Sequence, residues 1–139
     1  MKKYFTFIFL LSAIALLVSC ASPSSASSSV EYHKISAEDA KTRMDSGDDI
    51  RIVDVRTEAE YETAHIEGAI LIPNETISDT QPELLPDLDA EILIYCRSGN
   101  RSSQAAKKLI KMGYTKINDF GGIIDWPYDT VLGPAEIAD

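Results

Sequence analysis

The run EILIY (residues 91–95) is the feature that most restricts the fold of this chain of 139 residues. Its almost unbroken apolar character is typical of a central strand that is covered on both faces, as strands in parallel sheets usually are. Two β-branched runs precede it, IRIVDV (residues 50–55) and AILIP (residues 69–73), and YTKINDF (residues 114–120) follows it. The sequence therefore predicts a sheet with this run near its centre.

The segments between these runs predict helices. Residues 36–44 and 57–63 each begin with Ser or Thr, followed three residues later by Asp or Glu, which is the pattern of a capping box. Residues 102–112 carry apolar side chains on one helical face, and Gly113 suits the C-terminal cap. With an edge strand over residues 32–35, the alternation predicts an α/β fold with a mostly parallel sheet and helices on both faces. The residues from 74 to 89 are expected to be loop with at most one helical turn.

The N-terminal segment predicts export. Residues 4–18 are uncharged and almost wholly apolar, and they are shorter than the ~20 residues that span a bilayer, so we interpret them as part of a signal peptide. LVSC (residues 17–20) resembles a bacterial lipobox, which implies cleavage before Cys20 and attachment of lipid to its sulfur. The alternative is an ordinary signal peptide with a chance cysteine. Ala21 after the cysteine favours the outer membrane if the host is Gram-negative.

This interpretation divides the chain into three parts. We expect a signal peptide over residues 1–19, a lipidated serine-rich tether over residues 20–30 and one folded domain over residues 31–139. The mature protein is then expected to be a monomer anchored to the cell envelope by its lipid, on the periplasmic side of the outer membrane in a Gram-negative host.

Composition limits the ligands. The net charge of −9 would become −11 without Lys2 and Lys3, and so acidic a chain disfavours nucleic acid as a partner. An anionic substrate therefore needs a local basic pocket. Two separate histidines and one available thiol disfavour a metal site, and we expect no cofactor.

Cys96 has no partner within the chain if Cys20 carries lipid. It follows the central strand and precedes the helix over residues 102–112, so the loop between them directs backbone N–H groups inward. Gly99 and Asn100 are the residue types that tolerate the positive φ such a loop requires. The alternative is a buried and inert cysteine.

The charges around this loop favour an anion. The helix terminus contributes about half a positive charge. We expect it, together with Arg97 or Arg101, to lower the pKa of the Cys96 thiol so that the sulfur is held as a thiolate nucleophile. Ser102 and Ser103 are predicted to cap the helix.

Three segments resemble the rhodanese family in the same order along the chain. CRSGNRS (residues 96–102) resembles its active-site loop, VDVRTEAEYETAHIEGAILIP (residues 53–73) its Asp-x-Arg to His-Ile-x-Gly-Ala segment, and GGIIDW (residues 121–126) its closing motif. The resemblance implies a single rhodanese domain, a three-layer α/β/α sandwich with a five-stranded mostly parallel sheet. It also implies that the protein is a sulfurtransferase.

The implied reaction passes through a persulfide on Cys96. Its thiolate would take the sulfane sulfur of thiosulfate or of a persulfide donor, and cyanide, a thiol or a protein acceptor would remove it. Arg97 and Arg101 would attract the donor anion, and loop amides would stabilise the terminal sulfur. The residues implied to bind the substrate are Arg97, Ser98, Gly99, Asn100, Arg101 and Ser102.

The other candidate residues have structural alternatives. Asp54 and Arg56 are expected to support the loop, Asp54 as a hydrogen-bond acceptor and Arg56 as a positive charge, unless Arg56 forms an ion pair with Glu60. We expect His65 to be a hydrogen-bonded scaffold residue rather than a base, and Trp126 to belong to the core.

Other functions stay open. A persulfide carrier or sensing module would use the same residues without turnover. Phosphatases and arsenate reductases on this fold use Cys-x₅-Arg, whereas Arg101 gives Cys-x₄-Arg here and Tyr95 stands where phosphatases usually have His. A thiol redox protein would need a second, resolving cysteine.

Overall fold

The computed structural model describes residues 31–135 of the chain. The signal peptide, the tether and the lipidation predicted at Cys20 lie outside the described residues. Within residues 31–135, no helix is both long enough and apolar enough to cross a membrane. The elements of this range are β1 (His33–Lys34), α1 (Ala37–Met44), β2 (Ile50–Asp54), α2 (Glu58–Thr63), β3 (Ala69–Leu71), β4 (Glu91–Cys96), α3 (Asn100–Met112), β5 (Lys116–Gly122) and a 3-10 turn (Ile123–Asp125).

The strands form one five-stranded sheet in the order β1-β5-β4-β2-β3, and every pair of neighbours is parallel. Helix α3 packs on one face, while α1 and α2 pack on the other. This three-layer arrangement confirms the predicted fold class. Because all five strands run the same way, their carboxyl ends lie along one edge of the sheet, where ligands of such folds bind.

Strand β4 occupies the centre of the sheet, as its apolar sequence predicted. Ile92, Ile94 and Cys96 belong to the cluster on the α3 side, and Leu93 and Tyr95 belong to the cluster on the opposite side. Each of these five residues is at most 1% exposed. A strand covered on both faces has no polar side to present, which explains the absence of alternation.

Both capping boxes are present. The Ser36 hydroxyl accepts from the Asp39 N–H at 3.0 Å, and the Thr57 hydroxyl accepts from the Glu60 N–H at 3.4 Å. In each box the carboxylate reaches back to the N–H of the capping residue. These bonds satisfy N–H groups that have no acceptor inside their own helix.

The predicted start of the third helix was wrong by two residues. Helix α3 begins at Asn100 because Gly99, with φ of 92°, takes the left-handed conformation and serves as its N-cap. Consequently Ser102 and Ser103 lie inside the helix and do not cap it. Asn100 is helical and does not share the left-handed role predicted for it.

Strand β5 also differs from the prediction. The run that predicted it covers residues 114–120, whereas the strand begins at Lys116 and continues to Gly122 before the 3-10 turn begins. Gly121 has φ of 88°, and the register between β4 and β5 shifts here so that Cys96 lies opposite Gly122. The irregularity therefore brings the end of β5 beside the cysteine.

The long connection between β3 and β4 contains turns and no helix. Ile77 and Leu85 nevertheless belong to the core on the α3 side. The buried Tyr114 hydroxyl donates to the Leu85 carbonyl at 2.6 Å, which fixes the connection against the end of α3.

A buried ion pair stabilises the end of β2. The Arg56 guanidinium donates to both Asp54 oxygens at 2.6 to 3.0 Å, and the Arg56 N–H donates to Asp54 as well. Arg56 also donates to the Ala64 carbonyl at 2.6 Å, which ties the end of β2 to the end of α2. Asp54 is fully buried and Arg56 is 5% exposed, so neither charge is solvated by water.

Asp54→Ala should strongly destabilise the fold because it leaves the Arg56 charge buried without a counter-ion. We expect the free energy of unfolding, measured by urea denaturation, to fall by about 3–5 kcal/mol. The matched control is Asp79→Ala, which removes a carboxylate paired with Lys111 at the surface, where the side chains are 93% and 79% exposed. It should change stability little. Equal losses in the two variants would contradict this role for the buried pair.

Candidate active site

Cys96 is the last residue of β4 and is 1% exposed. It is a free thiol. The Gly99 N–H donates to its Sγ at 3.0 Å, so the loop turns back over the sulfur. The Cys96 thiol therefore lies against the backbone of the loop, as we predicted from the sequence.

Ser102, in the first turn of α3, also lies next to the Cys96 sulfur. Its Oγ lies 3.7 Å from the Cys96 Sγ, and the residue is fully buried. The hydroxyl also lies within hydrogen-bond distance of the Gly99 carbonyl, at 3.1 Å, and of the Gly121 carbonyl, at 3.5 Å. One side chain thus connects the sulfur, the loop and the end of β5.

The two glycines that end β5 form the wall behind the loop. A Cβ atom on Gly122 would lie 2.3 Å from the Arg97 carbonyl oxygen and 2.6 Å from the Ser98 Cα, both of which are backbone atoms. The next residues reinforce this contact, since the Ile124 N–H donates to the Arg97 carbonyl at 3.3 Å. Only glycine permits the two backbones to approach this closely.

The environment lowers the pKa of the Cys96 thiol below its usual value. Burial acts in the opposite direction and raises it, but hydrogen bonds from the Ser102 N–H and hydroxyl and from the Ser98 and Gly99 N–H groups outweigh burial. These donors favour the thiolate because it accepts their bonds more strongly than the thiol does. We had expected the helix terminus and Arg97 or Arg101 to lower this pKa; the structure gives the main effect to backbone amides and the Ser102 hydroxyl, and the Arg101 charge also interacts favourably with the Cys96 thiolate.

Arg101 is engaged by a carboxylate of α2. Its guanidinium donates to both Glu60 oxygens at 2.7 and 2.8 Å. The hydrogen bond from Arg101 is the main reason that the pKa of Glu60 falls to about 2. The alternative pairing of Arg56 with Glu60 is wrong, because Arg56 binds Asp54 instead. Glu60 therefore both closes a capping box and anchors the loop that follows Cys96; the sequence indicated its capping role but offered the wrong arginine as its partner.

Arg97 differs from Arg101. It is exposed, and within residues 31–135 it takes part in no salt bridge. Ser98 and Asn100 are also exposed, so the outer surface of the loop consists of these three side chains. The structure thus leaves one uncompensated cation immediately beside Cys96.

The other residues that the sequence singled out contribute to the fold. Asp54 and Arg56 bind each other and the adjacent backbone rather than the sulfur. The His65 Nδ1 lies 2.9 Å from the Tyr61 carbonyl and its ring stacks on that of Tyr61. Trp126 is 9% exposed and packs on Phe120. Within the part of the chain that the structure describes, no group of His, Cys, Asp and Glu side chains is arranged to bind a metal ion.

These features define a parallel α/β domain that holds one cysteine sulfur under the amides of a strand-to-helix loop. Residues 36–126 match the family described as the Rhodanese-like domain. The chain belongs to this family.

Similar proteins handle sulfur, according to their names. The chain is 42% identical over 94 residues to "Putative sulfur carrier protein YrkF" of Bacillus subtilis, a match that covers 67% of this chain and only 50% of that protein. It is 35% identical over 81 residues to the thiosulfate sulfurtransferase PspE of Escherichia coli, covering 58% of this chain and 78% of that protein.

A solved structure described as a rhodanese with anions from E. coli superposes with a TM-score of 0.56 at 33% identity. The match covers 60% of this chain and 99% of that one. Together these relatives place the chain in a family of sulfurtransferases.

Ser102→Ala should raise the pKa of Cys96, because it removes a hydroxyl that favours the thiolate while the Ser102 N–H remains. The pKa should rise towards that of an ordinary thiol, because one hydrogen bond to the thiolate is lost. The thiolate fraction near neutral pH would then fall, and the inflection of Cys96 alkylation by iodoacetamide would move to higher pH. Ser103→Ala is the control, since the Ser103 hydroxyl bonds only to the Asn100 carbonyl. An unchanged inflection in Ser102→Ala would contradict the assignment.

Gly122→Ala should displace the loop that follows Cys96, because its Cβ would overlap the backbone of Arg97 and Ser98. We expect a loss of at least about 2 kcal/mol in unfolding free energy. Cys96 should also react more slowly with iodoacetamide near neutral pH than it does in the wild-type protein. Gly121→Ala distinguishes backbone strain from steric overlap. The φ of 88° at this position disfavours alanine, but the added Cβ would meet nothing within 4 Å. That variant should keep a low Cys96 pKa, and equal loss of Cys96 reactivity in both variants would refute the role of the close contact.

Proposed function

We propose that this protein transfers sulfane sulfur through a persulfide on Cys96. The observation that carries the proposal is the sulfur itself, held at the end of β4 by the Gly99 N–H at 3.0 Å and next to the buried Ser102 hydroxyl. A buried and inert cysteine would need no such donors, and burial alone would raise its pKa. Membership of the rhodanese-like family and the thiosulfate sulfurtransferase among its relatives support the same chemistry.

In the first half-reaction, the Cys96 thiolate attacks the outer sulfur of thiosulfate. A new S–S bond forms to Cys96, the S–S bond of thiosulfate breaks, and sulfite leaves with its electron pair. The product is Cys96–S–S⁻. In the second half-reaction, cyanide, a small thiol or a protein thiol attacks the outer sulfur, and the Cys96 thiolate leaves.

The loop stabilises the negative charge of both states. The N–H groups in the first turn of α3 have no acceptors within their own helix, and the helix dipole adds positive potential at this end. A terminal persulfide sulfur would extend from Cys96 into the space that these groups face. The negative charge would therefore stay next to the same N–H groups while a sulfur atom is added to Cys96 and removed from it.

The cellular setting of this reaction is part of the proposal. Lipid on Cys20 would attach the domain to the cell envelope through the serine-rich residues 21–30, facing the periplasm in a Gram-negative host. The domain would act there as a monomer on a small anionic donor. The sulfur acceptor would be a thiol, on either a small molecule or a protein.

A non-turnover persulfide carrier is the second candidate, and the relative named as a sulfur carrier favours it. Phosphate chemistry is disfavoured by the charge arrangement. Arg101 lies in the first turn of α3. Both of its terminal nitrogens donate hydrogen bonds to Glu60, so its charge is balanced by that carboxylate.

Incubation of the full-length protein with thiosulfate should increase the mass of the peptide that contains Cys96 by one sulfur atom. Cyanide should remove this mass and release thiocyanate. Cys96→Ser should gain no sulfur. The absence of an adduct on the wild-type protein between pH 6 and pH 9 would overturn the proposal, and a stable adduct without steady-state thiocyanate production would select the carrier.

A further inference from the structure

We infer that Asp119, a buried residue of β5, positions the backbone that surrounds the Cys96 sulfur. Within residues 31–135 no hydrogen bond joins its carboxylate to Cys96, so Asp119 acts through the residues between them and not as a catalytic group. This inference rests on the proposed persulfide chemistry and adds a positioning residue to it.

Strand β5 carries one extra residue beside the cysteine. In the register between the two strands, Asp119 lies opposite Ile94 of β4. Three residues later Gly122 lies opposite Cys96, although β4 has advanced by only two residues. An extra residue of this kind is a β-bulge, which takes a backbone group out of the ladder and bends the strand. The bulge therefore determines where Gly122 meets the loop that follows Cys96.

The Asp119 side chain supplies an acceptor within this bulge. Its Oδ1 accepts the Gly121 N–H at 3.0 Å. Aspartate commonly bonds the backbone two residues ahead in this way, which stabilises a turn in the main chain. Gly121 needs such support because its φ of 88° is left-handed and does not occur in a regular strand. The Asp119 carbonyl in turn accepts the Ile35 N–H at 3.1 Å, so the chain beside β1 holds the residue that carries the acceptor.

The peptide that Asp119 holds is linked to the sulfur by one side chain. The Gly121 carbonyl lies 3.5 Å from the Ser102 hydroxyl, and that hydroxyl lies 3.7 Å from the Cys96 Sγ. Gly122 follows directly and contacts the backbone of the loop. A rotation of the Gly121 peptide would therefore move the Ser102 hydroxyl and the wall behind the loop together.

The position of Asp119 would otherwise favour an apolar side chain. Asp119 is 3% exposed and lies two residues after Ile117, a member of the core on the α3 side. Alternate residues of a strand share a face, so the pattern of β5 predicts another apolar residue here. In the part of the chain that the structure describes, Asp119 forms no salt bridge. Burial of a carboxylate without a counter-ion costs free energy, and residues that break a folding rule in this way are typical of functional sites.

Hydrogen exchange of the Gly121 amide tests the first step in the wild-type protein. We expect this N–H to exchange at least about tenfold more slowly than an unprotected amide, because the Asp119 carboxylate accepts it. The measurement is NMR of the full-length protein after transfer to D₂O. The control is Gly47, an exposed glycine with a similar φ of 79°, which should exchange much faster.

Three variants separate the acceptor from the stability of β5. Asp119→Leu removes the acceptor, so the inflection of Cys96 alkylation by iodoacetamide should move to higher pH. Alkylation at pH 7 should slow by about threefold or more, because the groups that favour the thiolate are displaced. Asp119→Asn keeps an acceptor oxygen and should restore the wild-type inflection. Ile117→Val shortens a buried side chain on the same face of β5 and should lower stability without moving the inflection.

Four results would overturn the positioning role. They are an unchanged inflection in Asp119→Leu, an equal shift in Asp119→Asn, an equal shift in Ile117→Val, and a Gly121 amide that exchanges as fast as that of Gly47. The last needs no variant, so it decides the matter even if Asp119→Leu does not fold. Alkylation reports on the thiol alone, so a failure of thiosulfate to load Cys96 would overturn the proposed function and leave this inference standing.

Discussion

The loop that follows Cys96 keeps its shape because the backbone of a glycine lies directly behind it. Gly122 approaches the backbone of Arg97 and Ser98 so closely that no Cβ atom fits between them. This contact fixes where the loop can turn, and Gly99 then turns it into α3 through a left-handed conformation. The amides that follow surround the Cys96 sulfur, so the chemistry at the end of β4 depends on packing between two main chains more than on any side chain.

Most of the positive charges around this loop are paired with particular carboxylates. Three arginines lie in this region, and two of them form structural ion pairs. Arg56 is paired with Asp54, and Arg101 is paired with Glu60. Only Arg97 remains uncompensated among them. Stabilisation of a sulfur anion therefore depends mainly on backbone N–H groups and the Ser102 hydroxyl, which are fixed in place and need no rearrangement when sulfur is added to Cys96. In the proposed reaction, the exposed Arg97 would attract the donor anion.

The sequence allowed the fold and the position of the loop to be predicted because they depend on local patterns. An unbroken apolar run identified β4, and capping boxes identified α1 and α2. What it could not reveal was pairing across long separations, such as that of Arg101 with Glu60, which lie 41 residues apart. The helix start was missed for a related reason: Gly99 caps with its backbone conformation, whereas Ser102 has the side chain usually found at caps.

We propose that loop amides hold a sulfur atom added to Cys96, and a crystal structure of the thiosulfate-treated protein would show whether they do. We expect a second sulfur bonded to the Cys96 Sγ and lying within hydrogen-bond distance of N–H groups from Ser98 to Ser102. An unmodified Cys96, or an added sulfur that turns away from these amides to contact Arg97 alone, would contradict it.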